Sequence, residues 1–156
     1  MLTFDEALDI VQKDVIPIGK VKVSMLQCLN RVLAEDVATD TDIPPFNKAA
    51  MDGYACRQSD MKDPLEIIEE IPAGIVPLKK INNGQCARIM TGAMVPDGAD
   101  FVVMKENTTI TESGNIICTG KPGSENICYK GEEIKKGEIV LKKGEIILPQ
   151  HIAILA

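Results

Sequence analysis

Short apolar runs separated by Gly and Pro fill the middle of this chain, and they limit its fold more than any other feature. Short strands at this spacing are typical of a small β-barrel or sandwich. The clearest runs are Glu66–Ile71, Gln85–Met90, Phe101–Met104 and Gly114–Thr119. Because the turn-prone stretch that precedes them begins near Asp40, we predict a β-rich unit over residues 42–138.

The two ends of the chain have helical patterns. Thr3 and Glu6 have the spacing of a capping box, and the apolar residues that follow recur at i, i+3, i+4 and i+7, a pattern that predicts one buried helix face. These apolar residues are Phe4, Ala7, Leu8 and Val11. A second capping-box pattern at Ser24 and Gln27 predicts a helix to about Leu33.

Pro149 suits the first position of a further helix, with Leu148, Ile152 and Leu155 on one face. We therefore predict an α+β fold. A helical linker unit, built from residues 1–41 and 139–156, would carry the inserted β-rich domain. The last apolar pattern reaches Ala156 without a C-cap signal, so we expect the chain to be a fragment of a longer protein.

A seven-residue repeat lies near the end of the chain, where Lys135–Leu141 recurs as Lys142–Leu148. Two copies are too few for a solenoid. The repeat instead predicts two strands joined by a Lys-Lys-Gly turn.

Composition excludes several classes of function. There are 17 basic and 23 acidic residues, a net charge of −6, with 3% aromatic residues and no Trp, so we expect no nucleic-acid partner. The five Cys include no C-x-x-C pair, which argues against a zinc or redox motif and fits a reducing compartment. An acidic N-terminus and short apolar runs predict a cytoplasmic protein with no membrane partner.

Few residues could carry chemistry. The single His, His151, lies among apolar residues, and no phosphate-binding glycine motif is present. Two segments stand out: Pro45–Ala55, which contains Asp52 before a Gly, and Arg88–Asp100, in which Thr91 follows a predicted strand. Asp52 could hold a metal or polar ligand, and the Thr91 hydroxyl could bind an anion. Taken singly, each segment is better explained by a structural role, the first as an Asp-Gly turn and the second as a strand–loop–strand connection.

Taken together, these segments resemble the N-terminal and linker region of the molybdopterin molybdenumtransferase family, which includes the C-terminal part of gephyrin. The family patterns are P-x-F-x-x-S-A-M-D-G-Y-A and R-I-M-T-G-A-x-V-P-x-G-A-D. Further matches are Gly123–Asn126, Gly131–Glu133 and Leu148–Ala156. Two departures are Ala49 in place of the usual Ser, and Ile127–Lys130 in place of an Arg-rich run.

The resemblance implies an enzyme of molybdenum cofactor biosynthesis that inserts molybdate into adenylylated molybdopterin and releases AMP, assisted by Mg²⁺. It implies a homodimer in which the inserted β-domain of one subunit faces the pterin-binding domain of the other. That catalytic domain would follow this region and is absent from the chain, so we expect the fragment alone to be inactive. Asp52 and Thr91 match family positions in the shared cleft, which makes both catalytic candidates and Asp52 a candidate metal ligand.

Two alternatives remain open. A non-catalytic scaffold or dimerisation module of a gephyrin-like protein would keep the same motifs, and a small domain could bind molybdate by itself. The shared-site hypothesis makes a geometric prediction: the side chains of Asp52 and Thr91 should lie within about 10 Å of each other, a gap that one or two waters could bridge, and both should be accessible to solvent.

Overall fold

A computed structural model of the chain describes residues 2–16, 18–120 and 123–156. The fold is α+β, as predicted. The helices are α1 (Phe4–Lys13) and α2 (Pro149–Leu155). In chain order the strands are β1 (Val37–Ala38), β2 (Lys48–Ala49), β3 (Gly53–Cys56), β4 (Glu66–Ile71), β5 (Gln85–Ile89), β6 (Phe101–Met104), β7 (Thr108–Ile110), β8 (Ile116–Cys118), β9 (Ile127–Cys128) and β10 (Ile139–Leu141). Neither helix in these ranges has the length and apolarity that a membrane span requires.

The chain divides into two compact units. One comprises Met1–Val37 and Ile139–Ala156, and the other comprises Ala38–Glu138. The first unit contains both α-helices, and the second contains eight of the ten strands, β2 to β9. The dividing points lie within a few residues of the composition changes near Asp40 and after the β-rich segment.

Helix α1 begins at the predicted capping box. The backbone N–H of Glu6 donates to Oγ1 of Thr3 at 3.3 Å, and the N–H of Thr3 donates to Oε2 of Glu6 at 2.7 Å. The predicted burial of its apolar face is wrong for this chain, because no residue of α1 is buried and Phe4 is 80% exposed. The periodic pattern therefore fixed the helix but not its packing.

The predicted helix from Ser24 to Leu33 is wrong. Only Met25–Gln27 form a single 3-10 turn, and Ser24 makes no side-chain capping bond. Asn30 then adopts φ 62°, in the left-handed region, and its N–H donates to the carbonyl of Ile147 at 2.8 Å. Pairing with the tail of the chain thus replaces the helix.

The seven-residue repeat does not form the predicted hairpin. Its first copy contains β10, which pairs with β1, and its second copy contributes Ile146, which bridges to Val32. The two copies therefore pair with an earlier part of the chain and not with each other.

Each copy forms the same turn, held by an aspartate. The backbone N–H of Lys136 donates to Oδ1 of Asp42 at 2.9 Å, and that of Lys143 donates to Oδ1 of Asp36 at 2.7 Å. The sequence repeat therefore reflects a repeated turn, because each Lys-Lys-Gly segment leaves an N–H group that a carboxylate accepts.

The second unit is built on a four-stranded sheet in the order β4-β5-β3-β6. Strand β3 is antiparallel to both β5 and β6, whereas β4 is parallel to β5. The other described strands of this unit form two smaller pairs, β2 with β9 and β7 with β8. Because the edge strands β4 and β6 do not pair with each other, the sheet stays open. Of the two predicted forms, a small barrel or a sandwich, the described residues do not form a closed barrel.

Strand β3 lies in the centre of this sheet and is buried on both faces. Ala55 packs into one apolar cluster with Ala87 and Val102, while Tyr54 and Cys56 pack into another with Phe101. This division follows from the alternation of side chains along a strand. The central strand thus gives the segment that precedes it a rigid base.

Candidate functional site

Strand β2 brings together three of the five segments that match the family, namely Pro45–Ala55, Arg88–Asp100 and Gly123–Asn126. The N–H of Ala49 donates to the carbonyl of Ala93 at 2.9 Å, and the N–H of Ala50 donates to the carbonyl of Asn126 at 2.9 Å. Lys48 is paired with Cys128 across the β2–β9 ladder. Segments that are far apart in sequence are therefore direct neighbours in the fold.

Asp52 and Thr91 are hydrogen-bonded. Oδ1 of Asp52 accepts the backbone N–H of Thr91 at 2.8 Å and its hydroxyl at 2.6 Å, across 39 residues of sequence. The Asp52 side chain is 43% exposed, and Thr91 is exposed. The predicted proximity and accessibility of the two residues are confirmed, while their catalytic role stays a prediction.

Strand register explains this contact. Gly53, the first residue of β3, is paired with Ile89, the last residue of β5. Asp52 and Thr91 therefore leave the same end of an antiparallel pair. Gly92 follows with φ 81° and donates its N–H to the carbonyl of Ala49 at 2.8 Å, which turns the chain so that Thr91 faces Asp52.

A third residue, Lys105, belongs to the site and was missed by sequence reasoning. Its Nζ lies 3.8 Å from Oδ2 of Asp52, and its backbone N–H donates to the carbonyl of Asp52 at 3.1 Å. Lys105 directly follows β6, whose last residue Met104 is paired with Gly53. Only this register places it beside Asp52, since no motif includes it.

Asp52 and Lys105 border a surface depression of about 260 Å³. Its lining is Asp52, Gly53, Tyr54, Arg88, Ile89, Met90 and Lys105. Arg88 contributes a second positive charge at the rim, where it lies 3.5 Å from the carboxylate of Glu70. The depression therefore combines one carboxylate that is partly neutralised with two cationic side chains.

Thr91 stabilises the ionised form of Asp52. The hydrogen bond from the Thr91 hydroxyl, followed by that from its N–H, lowers the pKa of Asp52 below its ordinary value, and the charges of Lys105 and Arg88 act in the same direction. Because the hydroxyl proton is already donated to Asp52, a hydrogen bond from Thr91 to a bound oxyanion requires that bond to open. In this arrangement Thr91 orients the carboxylate.

The donor set at Asp52 does not by itself make a magnesium site. Mg²⁺ takes six oxygen ligands in near-octahedral geometry and repels nearby ammonium groups. Here Oδ1 already accepts two hydrogen bonds, and Oδ2 lies beside Lys105. Across the ranges that the structure describes, no three His, Cys, Asp or Glu side chains are grouped to hold a metal ion. Asp52 can offer one oxygen at most.

The segment around Asn126 connects the residues that precede Asp52 to strand β6, which precedes Lys105. Asn126 adopts φ 53°, and its side-chain amide donates to the carbonyl of Val102 at 2.8 Å, on β6. Lys130 is the one basic residue kept where the family has an Arg-rich run, and its Nζ lies 3.4 Å from Oδ2 of Asp42. Lys130 is thus paired with Asp42 and does not line the depression at Asp52, so it is not positioned to attract an anion to that depression.

Comparison with known proteins identifies the relatives of this chain. The family described as "MoeA N-terminal region (domain I and II)" matches residues 2–156. The chain belongs to this family. A molybdopterin molybdenumtransferase of Staphylococcus epidermidis is 40% identical over 162 aligned positions, which cover 99% of this chain and 39% of the relative. One from Staphylococcus aureus is 41% identical over 143 positions, which cover 87% of this chain and 34% of the relative.

The crystal structure of a molybdopterin biosynthesis moeA protein from Pyrococcus horikoshii has the same fold. It superposes with a TM-score of 0.87 at 37% identity, covering 99% of this chain and 43% of that protein. This MoeA N-terminal chain thus spans about two fifths of the length of the relatives that it matches.

Proposed function

We propose that this chain is the N-terminal part of a molybdopterin molybdenumtransferase, which inserts molybdate into adenylylated molybdopterin with release of AMP in the cytoplasm. In this proposal the whole enzyme is a homodimer, and the depression at Asp52 forms one wall of its active cleft. The 156-residue chain contributes this wall but does not catalyse the reaction by itself.

One observation carries the proposal. Asp52 and Thr91, which lie in separate motifs of the family, form a single hydrogen-bonded pair at the edge of an open depression. Asp52 is also accessible from this depression, which Arg88 and Lys105 line together with it. The family membership and the shared name of the relatives support the same activity.

The residues of this wall can carry out a limited set of chemical tasks. Asp52 presents an ionised oxygen, Oδ2, that can accept a proton or hydrogen bond from a bound substrate. Arg88 and Lys105 lie close enough to the depression to attract the negative charge of molybdate or of a phosphate group. Mg²⁺, which the family resemblance implies, would supply charge neutralisation of the phosphates, with most of its ligands provided by substrate and by other parts of the enzyme.

The proposal is tested with the full-length protein. Purified enzyme, adenylylated molybdopterin, molybdate and Mg²⁺ should give AMP and an active cofactor, detected by reconstitution of a molybdenum enzyme apoprotein. The 156-residue chain in the same assay should remain at background. Absence of AMP release from the folded full-length protein would overturn the proposal and favour a scaffold role.

A further inference from the structure

Two contacts join Asp52 to Lys105. The backbone N–H of Lys105 donates to the carbonyl of Asp52 at 3.1 Å, and Nζ of Lys105 lies 3.8 Å from Oδ2 of the same residue. The first contact is independent of the lysine side chain and holds the Lys105 backbone next to the Asp52 backbone. The Lys105 side chain can therefore place its ammonium group beside Oδ2 of Asp52.

The two oxygens of Asp52 are not equivalent. Oδ1 accepts both donors of Thr91, at 2.8 and 2.6 Å, which holds the carboxylate in one orientation. Oδ2 is then the oxygen left for a ligand, and its charged neighbour is Lys105. An ammonium group at this distance occupies the side from which a cation would approach.

We propose that Lys105 acts as the built-in counter-ion of Asp52 and keeps divalent cations off Oδ2, the carboxylate oxygen that the Thr91 hydrogen bonds leave free. The inference deepens the proposed function, since it rests on Asp52 being the working group of that site. A divalent cation binds Asp52 here only by displacing the ammonium group. Because divalent cations are kept off Oδ2, the depression stays open to an anionic substrate.

This assignment makes a direct prediction for metal binding by the 156-residue chain. With Mn²⁺ as a paramagnetic probe, the backbone amide signals of Asp52, Gly53 and Thr91 should broaden more strongly in Lys105→Met than in the unmodified chain. Removing one positive charge about 4 Å from the carboxylate should tighten Mn²⁺ binding roughly fivefold in a solvated site. Lys105→Arg should restore the weak binding of the unmodified chain.

Lys62 provides the matched control, because it is an exposed lysine of the same unit that does not line the depression. Lys62→Met should leave Mn²⁺ broadening at Asp52 unchanged. Equal broadening in the unmodified chain and in Lys105→Met would overturn the proposal, as would a failure of Lys105→Arg to reverse the change.

A second measurement does not depend on the lysine variants folding. The side-chain ammonium signal of Lys105, observed by nitrogen-15 NMR, should shift in Asp52→Asn, while that of Lys62 should not. An unshifted Lys105 signal would also overturn the inference. Neither readout requires transferase activity, so failure of the AMP assay bears on the proposed function alone, and unchanged Mn²⁺ binding in an active enzyme bears on Lys105 alone.

Discussion

Gly53 lies so close to Val103 that a Cβ atom on Gly53 would lie 1.9 Å from the Val103 carbonyl oxygen. Real Cβ atoms do not approach a backbone oxygen this closely, so β3 and β6 can keep their spacing only with glycine here. The close approach also determines where Asp52 leaves the sheet. The Asp-Gly pair of the motif is thus explained by packing at Gly53 as much as by chemistry at Asp52.

We expect Gly53→Ala to destabilise the chain by about 3 kcal/mol, the upper part of the usual range for overpacking, because the clash is with backbone. Gly123→Ala is a suitable control, since an added Cβ there meets no atom within 4 Å, and it should change the free energy of unfolding by less than about 0.5 kcal/mol. Urea denaturation measures both. Equal stability of the two variants would contradict the close approach.

Asp52→Asn should separate activity from stability. The Asn carbonyl can still accept both Thr91 donors at this accessible position, so the variant should stay folded and unfold at nearly the same urea concentration. Loss of the charged oxygen should lower AMP release by the full-length enzyme about a hundredfold or more if Asp52 takes part in proton transfer. Asp63→Asn, at an exposed aspartate of the same unit, should leave AMP release unchanged.

Thr91→Val should weaken the same site less. The variant removes the hydroxyl but retains the backbone N–H that donates to Asp52. Since the Thr91 hydroxyl is the largest cause of the lowered pKa of Asp52, that pKa should rise toward its ordinary value, as measured by NMR titration of the carboxyl carbon. Activity should fall about three- to tenfold, the equivalent of one hydrogen bond. Thr91→Ser should restore both quantities, and a variant with an unchanged pKa would contradict the assigned role.

Local sequence patterns predicted the structure correctly where residues close together in sequence determine it. The capping box at Thr3, the strands Glu66–Ile71 and Phe101–Met104, and the start of α2 at Pro149 are all present as predicted. The helix expected at Ser24 failed because the tail of the chain competes for the same backbone groups. That competition depends on residues more than a hundred positions away, which no local pattern records.

The candidate site shows the same limit. The motifs pointed to Asp52 and Thr91, and the register of β3 with β5 brings them together. Lys105 was missed because its place beside Asp52 depends on a second register, that of β3 with β6. Residues contributed by a neighbouring strand and outside any motif become visible only when the pairing of strands is known.

The five cysteines should behave as free, structural thiols and not as a disulfide-bonded or metal-binding set. All five are free, with Cys56 and Cys86 fully buried, and burial raises the pKa of Cys86 to about 12. Iodoacetamide should therefore modify the partly exposed Cys118 and Cys128 of the native chain first. Mass spectrometry of the denatured chain should count five modified thiols. A disulfide or bound zinc would contradict this assignment.

Asp60 should make the stability of the chain sensitive to acid. It is buried, Oδ1 accepts the hydroxyl of Ser59 at 2.7 Å, and Oδ2 accepts the N–H of Gly84 at 3.0 Å. The Ser59 hydrogen bond, followed by that from Gly84, lowers the pKa of Asp60 below its ordinary value of 3.8. A carboxyl whose pKa is lower in the folded state stabilises that state at pH values above the unfolded pKa, and the stabilisation disappears as the pH falls through the folded pKa.

Asp60→Asn should remove this dependence. An Asn side chain can accept from Ser59, but its amide then faces the N–H of Gly84, so the variant should be less stable than the unmodified chain at pH 7. The difference in free energy of unfolding should narrow as the pH falls below about 4, because protonation removes from Asp60 the charge that the variant already lacks. Urea denaturation at pH 7 and pH 3 measures this difference, with Asp63→Asn as the matched control. A difference that is constant with pH would show that Asp60 stabilises the chain through shape alone and not through its charge.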